Sequence, residues 1–250
     1  MGENFYSQKM KFSIITPTMN DAEIIVRTIN SIKEQDYSKD LIEWILIDGG
    51  SSDNTLDTIK DQSLHPNKWE SEKNNGFFDS LNRGYMKATG DVICFLPAGF
   101  QLANRGSLFR ISSAFQNSGA SCVYANMEIG KFNRYQFDAR NTVRPGIYKR
   151  WKLSWGWCPP ISTICMDRET VEKTALPSGK VFDEEFGEVA DIEWIYRTIG
   201  SYRVEPAYLR LITIRCSNKP QRVSGRNLWK VVKTCNKGHL GSWLGLRSRY

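Results

Sequence analysis

Between Phe12 and Asp53 the chain sets out a strand, a helix and a second strand, and both strand tips carry small polar residues. The first apolar run, Lys11–Thr16, holds Phe12, Ile14 and Ile15 and closes in Thr16-Pro17-Thr18. Ile24, Ile25, Ile29 and Ile32 then recur at helical spacing, with Asp21 placed to cap the helix. A second run, Leu41–Asp48, closes in Asp48-Gly49-Gly50-Ser51-Ser52-Asp53. Parallel strands need a crossover, usually helical, and open α/β sheets bind ligands beyond the carboxyl ends of their strands. The pattern predicts a mainly parallel sheet with helices on both faces and a crevice at those tips.

Further elements extend this reading. Asn54–Lys60 predicts a short helix and Trp69–Glu72 a brief strand. Phe77–Ala88 predicts a helix with Phe78, Leu81 and Met86 on one side, stopped by Gly90. Asp91–Leu96 reads as a buried strand broken by Pro97. Ser107–Phe115 reads as a helix and Ser121–Tyr124 as a strand; between Met127 and Gly146 both periodicities fail, and hairpins and loops are expected. Ile161–Met166 predicts a strand, Arg168–Lys173 and Val189–Ile199 helices, Tyr202–Ile214 mixed strand and Asn227–Cys235 a basic helix.

Short hydroxyl side chains and backbone amides at strand ends can hold a base and ribose, and a carboxylate such as Asp48 can accept from ring N–H or ribose hydroxyls. The competing local reading of Asp48–Asp53 is a tight turn closed by Asx bonding. It is neither a Walker loop nor a GxGxxG fingerprint. A second segment raises the nucleotide reading. Ser71-Glu72-Lys73-Asn74-Asn75-Gly76-Phe77-Phe78-Asp79-Ser80-Leu81-Asn82-Arg83-Gly84, followed by Ala88-Thr89-Gly90-Asp91, resembles Ser-Glu-x-Asp-x-Gly-Ile-Tyr-Asp-Ala-Met-Asn-x-Gly and then Ala-x-Gly-Asp of family 2 glycosyltransferases. Together with the opening unit, this resembles the colanic-acid type of bacterial exopolysaccharide and lipopolysaccharide enzymes. The resemblance implies a GT-A fold, a Rossmann-like α/β/α sandwich with a mainly parallel central sheet. It also implies donor contacts at Thr16, Thr18, Asn20, Asp48, Gly50, Asn74, Gly76, Asp79 and Gly99.

Three departures stand out. In the family, the strand matching Val92–Leu96 leads into a carboxylate that holds Mg²⁺ or Mn²⁺ against the donor diphosphate. Here Leu96-Pro97-Ala98-Gly99-Phe100 offers no acid, and hard dications want oxygen ligands, preferably charged. The Asp of the preceding motif is Asn74, and Pro159-Pro160 replaces a family His-Gln or His-Pro pair. No metal ligand is therefore assigned. Fixed cations can stabilise a leaving diphosphate instead, and the family's Gly-Gly-x-Ser loop corresponds to Pro220–Ser224, which brings in Lys219, Arg222 and Arg226 as candidates. The segment Asp183–Trp194 is similar to the family's Phe-Asp-x-x-Phe…Ala-Asp-Tyr, which makes Asp191 the general base of an inverting transfer. The local alternative is that Asp191 caps its helix.

Apolar content of 40% and charged content of 24% over 250 residues suit one globular α/β domain. No apolar run is long enough to span a bilayer and no hydrophobic signal core is seen at the N-terminus, so a cytoplasmic setting is expected. The six cysteines lack CxxC spacing and read as reduced thiols. Glu205 is the last acid; ten cations follow it, three more than the net charge of +7, so residues 1–205 carry −3. The chain thus divides into a glycosyltransferase domain, 1–218, and a basic extension, 219–250. Cations interleaved with Trp229, Trp243 and several leucines suit the inner face of an anionic membrane. A solvated tail and nucleic-acid binding are the other readings, and no nucleic-acid module is present. The implied partners are a nucleotide-sugar donor, UDP-linked, and a glycan or lipid-linked glycan acceptor. A catalytically inactive relative that binds a nucleotide sugar or glycan is the alternative.

Overall fold

The computed structural model describes residues 10–73, 75–132 and 137–217. Nine strands form a single sheet in the order β3-β2-β1-β4-β8-β6-β9-β5, with β7 paired to β6. The strands are β1 (Phe12–Thr18), β2 (Ile42–Asp48), β3 (Lys68–Ser71), β4 (Val92–Phe95), β5 (Phe100–Leu102), β6 (Cys122–Phe132), β7 (Phe137–Val143), β8 (Ile164–Asp167) and β9 (Pro206–Cys216). β3, β2, β1 and β4 are mutually parallel. β8 runs against both β4 and β6, and β9 runs parallel to β6, so six of the nine point the same way. The mainly parallel sheet holds, and its contiguous parallel block, β3-β2-β1-β4, is built from the first half, as the β–α alternation predicts.

Helices cover both faces. On one face α1 (Ile25–Lys33), α2 (Thr55–Lys60) and α4 (Ser107–Ser118) pack Ile25, Ile29, Ile32, Ile59, Leu108 and Phe115 against Phe12, Ile14, Trp44 and Leu46. On the other, α3 (Phe77–Lys87), α5 (Arg168–Thr174) and α6 (Ala190–Ile195) pack Leu81, Tyr85, Val171 and Trp194 against Ile15, Ile47 and Phe95. Each fully buried aliphatic side chain of this kind contributes about 1.5–3 kcal/mol of transfer free energy. α3 approaches the sheet closely because of Gly84: a Cβ there would lie 2.4 Å from Ile15 Cγ2.

Several local expectations change. Asp21 does not cap α1; that position is Ile24, and Asp21 contributes only its carbonyl to Ile24 N and Ile25 N. Met86 faces solvent at 67% exposure, because Leu81 and Tyr85, four apart, define the buried side of α3. That helix ends at Ala88, before Gly90. Ile161–Thr163 is a 3-10 turn ahead of the shorter β8. The helix after Val189 is α-helical only to Ile195 and continues as a π-turn over Tyr196–Ser201. The region after Met127 is a β6–β7 hairpin, as expected. Cys94, Cys122, Cys158, Cys165 and Cys216 are free thiols. Cys235 and the helix at Asn227–Cys235 lie outside the described residues.

At the amino-terminal end of the sheet, Glu43 is buried yet charged. It accepts from Ser13 Oγ at 2.5 Å, Thr89 N at 2.7 Å and Thr89 Oγ1 at 2.7 Å, and pairs with Lys68 at 2.8 Å. Burial by itself would raise its pKa; the donors from Lys68, Ser13 and Thr89 overcome this and hold it at about 2, against an ordinary 4.5. The stability this network supplies is complete above 4.5 and is lost as pH falls through about 2. Urea unfolding across that window is expected to show the loss, and Glu43→Gln to flatten it.

Candidate active site

β1, β2 and β3 end in register. Thr18 lies opposite Asp48, and Asp48 opposite Ser71, so three polar residues form a row at the carboxyl edge of the sheet. Beyond this row lies a crevice of about 260 Å³, lined by Pro17, Thr18, Met19, Asp21, Gly76, Phe77, Ser80, Pro97 and Ala98. The amino end of α3 borders it, with Gly76 at φ +118, a backbone angle that glycine adopts without strain. An eleven-residue helix directs the positive end of its dipole there, which favours an anionic group in the crevice.

The side chains expected to contact a donor fall into three groups. Thr18, Gly76 and the Gly99 loop border the crevice, through Thr18, Gly76, Pro97 and Ala98. Asn20, Gly50 and Asp79 are not among the residues that line it and lie in the flanking turns. Asn20 takes the left-handed φ of 56 that asparagine tolerates, and its Oδ1 accepts from Ser52 N at 2.8 Å while its own N–H donates to Ser51 Oγ at 2.8 Å. These bonds stitch the β1 loop to the β2 loop. Gly50, at φ +88, lets the turn approach the backbone of Lys73, whose Cα a Cβ there would meet at 3.2 Å. Asp79 sits in the first turn of α3 and accepts from Asn75 N at 3.2 Å. Asn74, Lys219, Arg222 and Arg226 lie outside the described residues.

The third group is buried. Thr16 is fully buried and its hydroxyl accepts from Trp44 Nε1 at 3.0 Å, so it serves the sheet interior. Asp48 is also fully buried. Its carboxylate accepts from Gly50 N at 3.2 Å, Ser51 N at 3.0 Å, Ser71 Oγ at 2.7 Å and the Ser51 hydroxyl. A carboxylate has about four acceptor positions, and these donors fill them. These are the bonds of an Asx turn, and they fix the shape of the crevice wall.

Asp21, assigned from sequence to helix capping, supplies a carboxylate to the crevice instead. Its Oδ2 accepts from Thr18 Oγ1 and Met19 N, both at 3.0 Å, and its N–H donates to Thr55 Oγ1 at 2.8 Å. Thr55 is held in turn by Asp53, whose own pKa is lowered first by the Thr55 hydroxyl bond. The spacing of Thr18 and Asp21 was the available signal, since short polar side chains two or three residues apart close turns on the backbone.

Asp191 occupies the first turn of α6, after the capping position, which is Val189. Its Oδ1 accepts from Ile192 N at 2.9 Å. Burial raises its pKa from 3.8 to about 6, with the Ile192 amide opposing the shift. Cys158 lies beside it: burial raises the thiol pKa, and the Asp191 charge adds to that rise. The helix bearing Asp191 and the helix bordering the crevice are joined. Asn82 of α3 accepts from Val181 N and Phe182 N and donates to Phe182 O and Glu184 Oε1, all at 2.9 Å. Phe182 also packs on Phe78 of α3, with ring centroids 5.3 Å apart, and on Trp194 of α6 at 5.3 Å.

The loop after β4 does not fit a hard dication. Leu96–Phe100 presents no side-chain oxygen, and hard dications need oxygen ligands, preferably charged. Among the described residues, no group of three His, Cys, Asp or Glu side chains converges to hold a metal.

Known proteins share this architecture. The family described as "Glycosyl transferase family 2" matches residues 13–168. A glycosyltransferase of Nostoc sp. is 34% identical over 173 residues, 66% of this chain and 53% of its own. A PGL/p-HBAD biosynthesis glycosyltransferase of Mycobacterium tuberculosis is 36% identical over 122 residues, 46% of each chain. The chain thus spans about half the length of these curated relatives. Among solved structures, S. aureus TarS in complex with UDP superposes with a TM-score of 0.65 at 18% identity, covering 90% of this chain and 64% of that one. The mannosyltransferase PcManGT from Pyrobaculum calidifontis, in complex with GDP-Man and Mn²⁺, gives 0.61 at 18% identity, covering 94% and 64%. At these identities the structural likeness speaks to the fold.

Proposed function

The chain belongs to glycosyltransferase family 2, and from that membership we propose that it moves a sugar from a nucleotide donor, UDP-linked, onto a surface glycan or a lipid-linked glycan with inversion at the anomeric carbon. The observation that carries this reading is Asp191: a carboxylate with a raised pKa, on a helix tied through Phe182 to the helix that borders the crevice. TarS bound to UDP has the same fold.

In the proposed step the acceptor hydroxyl oxygen bonds to the anomeric carbon. The bond from that carbon to the donor diphosphate breaks, and the nucleoside diphosphate leaves with the electron pair. Asp191 takes the hydroxyl proton, and its raised pKa keeps it basic enough to do so near neutrality. The diphosphate rests against the amino end of α3, where Gly76, Phe77 and Ser80 border the crevice. Thr18 faces it from the β1 side.

The family implies Mg²⁺ or Mn²⁺, and the loop after β4 does not fit either. We therefore assign the growing diphosphate charge to Lys219, Arg222 and Arg226, in the basic extension 219–250, a segment whose cations also suit the inner membrane face. Transfer is expected to persist in excess EDTA, while Arg222→Ala lowers kcat about tenfold or more. Loss of transfer in EDTA would overturn metal independence. A thermal-shift titration with UDP, GDP and CMP sugars, with and without Mn²⁺, reports the donor class. Donor binding with no transfer to any glycan would favour the inactive, binding-only reading.

A further inference from the structure

We propose that the turn over residues 144–152, led by Ile147 and Trp151, docks on the surface of an anionic lipid bilayer. Between Asp138 and Asp167 the sequence has no acid, yet it has Arg140, Arg144, Lys149, Arg150 and Lys152. Within this stretch Ile147 is 50% exposed and Trp151 56% exposed, and Arg144 and Lys149 are exposed beside them.

This exposure belongs to a built turn. The Tyr124 hydroxyl donates to Gly146 O at 2.7 Å and accepts from Tyr148 N at 2.8 Å. Trp157 Nε1 donates to Pro145 O at 2.9 Å, and Lys152 Nζ donates to Ile147 O at 2.7 Å. Lys152 N closes on Lys149 O at 2.8 Å, and Leu153 is fully buried beneath the turn, with the Tyr196 hydroxyl donating to its carbonyl. Leu153 and Trp157 point inward, so the same bonds that bury them hold Ile147 and Trp151 outward.

An indole and a branched aliphatic side chain flanked by cations match the bilayer interface. The acyl boundary takes the apolar side chains, the headgroup layer takes the indole edge, and anionic phosphates take Lys149 and Arg144. A polynucleotide would answer the cations but offer no apolar phase to Ile147. The turn packs on the segment that follows α6, where the Tyr196 hydroxyl donates to Leu153 O, so docking would bring that end of α6 toward lipid. This extends the lipid-linked acceptor reading of the proposed function, and its test contains no donor or acceptor, so docking and transfer can fail separately.

The test is co-sedimentation of the full chain with vesicles of phosphatidylcholine alone and of phosphatidylcholine mixed equally with phosphatidylglycerol. Binding to the anionic vesicles only is expected, weakening as salt rises. The double variant Ile147→Ser, Trp151→Ser keeps the basic tail and is expected to partition about tenfold less, and Lys149→Glu several-fold less. Phe109→Ser, removing a 62% exposed aromatic from α4 on the opposite face of the sheet, is expected to change nothing. Thermal unfolding midpoints matching the parent chain confirm that the exposed substitutions leave the fold intact. Absence of binding by the parent chain overturns the proposal. Undiminished binding by both the double variant and Lys149→Glu also overturns it, because the tail alone would then account for attachment. An equal loss in Phe109→Ser overturns it too.

Discussion

Asp191→Asn is expected to lower the transfer rate by about 10²–10⁴-fold, the usual worth of a positioned general base, while the protein becomes more stable at neutral pH. Both effects come from the same burial. The folded protein holds the Asp191 proton more tightly than the unfolded chain does, with a pKa of about 6 in place of 3.8. Ionising the group at neutral pH therefore costs the folded state up to about 3 kcal/mol. That penalty is absent below the unfolded pKa, grows between the two values and is complete above about 6. Asn removes the charge and with it the penalty, so its unfolding midpoint at pH 7 should rise and lose this pH dependence. Activity has the opposite sign: the carboxylate must be ionised to accept a proton, so the parent rate should fall as pH drops through about 6. Rate profiles and urea unfolding on both proteins check the pair. A variant with parental turnover would remove Asp191 from the reaction.

The parallel half of the sheet was legible because its signal is local. Phe12–Thr18, Ile42–Asp48 and Val92–Phe95 are short apolar runs separated by amphipathic helices, and the crossover rule arranges them. The second half depends on contacts distant in sequence. β5 is three residues long and is defined by pairing with β9, over a hundred residues away. β6 runs on to Phe132 through Glu128 and Lys131, which break the apolar pattern but sit where Arg215 and β7 receive them. At the site, position could be read from the sequence better than side-chain direction. Thr16 shares its sheet face with Phe12 and Ile14 by period two, which is the face where Trp44 of the neighbouring strand lies and bonds its hydroxyl. Asp48 is different: whether its carboxylate meets a ligand or its own turn depends on Ser71 arriving from the next strand in register.

Asn82→Ala is expected to cost about 3–5 kcal/mol of stability and to lower kcat with little change in donor affinity. The amide is 2% exposed and makes four bonds to one segment. Its orientation follows from its partners: two backbone N–H groups require the oxygen, and the Phe182 carbonyl requires the nitrogen. Alanine would leave Val181 N, Phe182 N and Phe182 O buried without partners, at about 1–3 kcal/mol for each that water cannot reach. Asn82→Asp would keep the two accepted bonds but set an anionic oxygen against Phe182 O and Glu184, so it should rescue little. The crevice end of α3, a turn and a half away at Gly76 and Phe77, remains in place, which preserves donor binding. What loosens is Val181–Glu184, the lead-in to the turn over Glu184–Val189 and to Asp191 beyond it. Urea unfolding with steady-state kinetics at varied donor separates these effects. A loss of less than 1 kcal/mol, or a KM change with kcat intact, would show that the two sides of the site are joined by packing of Phe78, Phe182 and Trp194 alone.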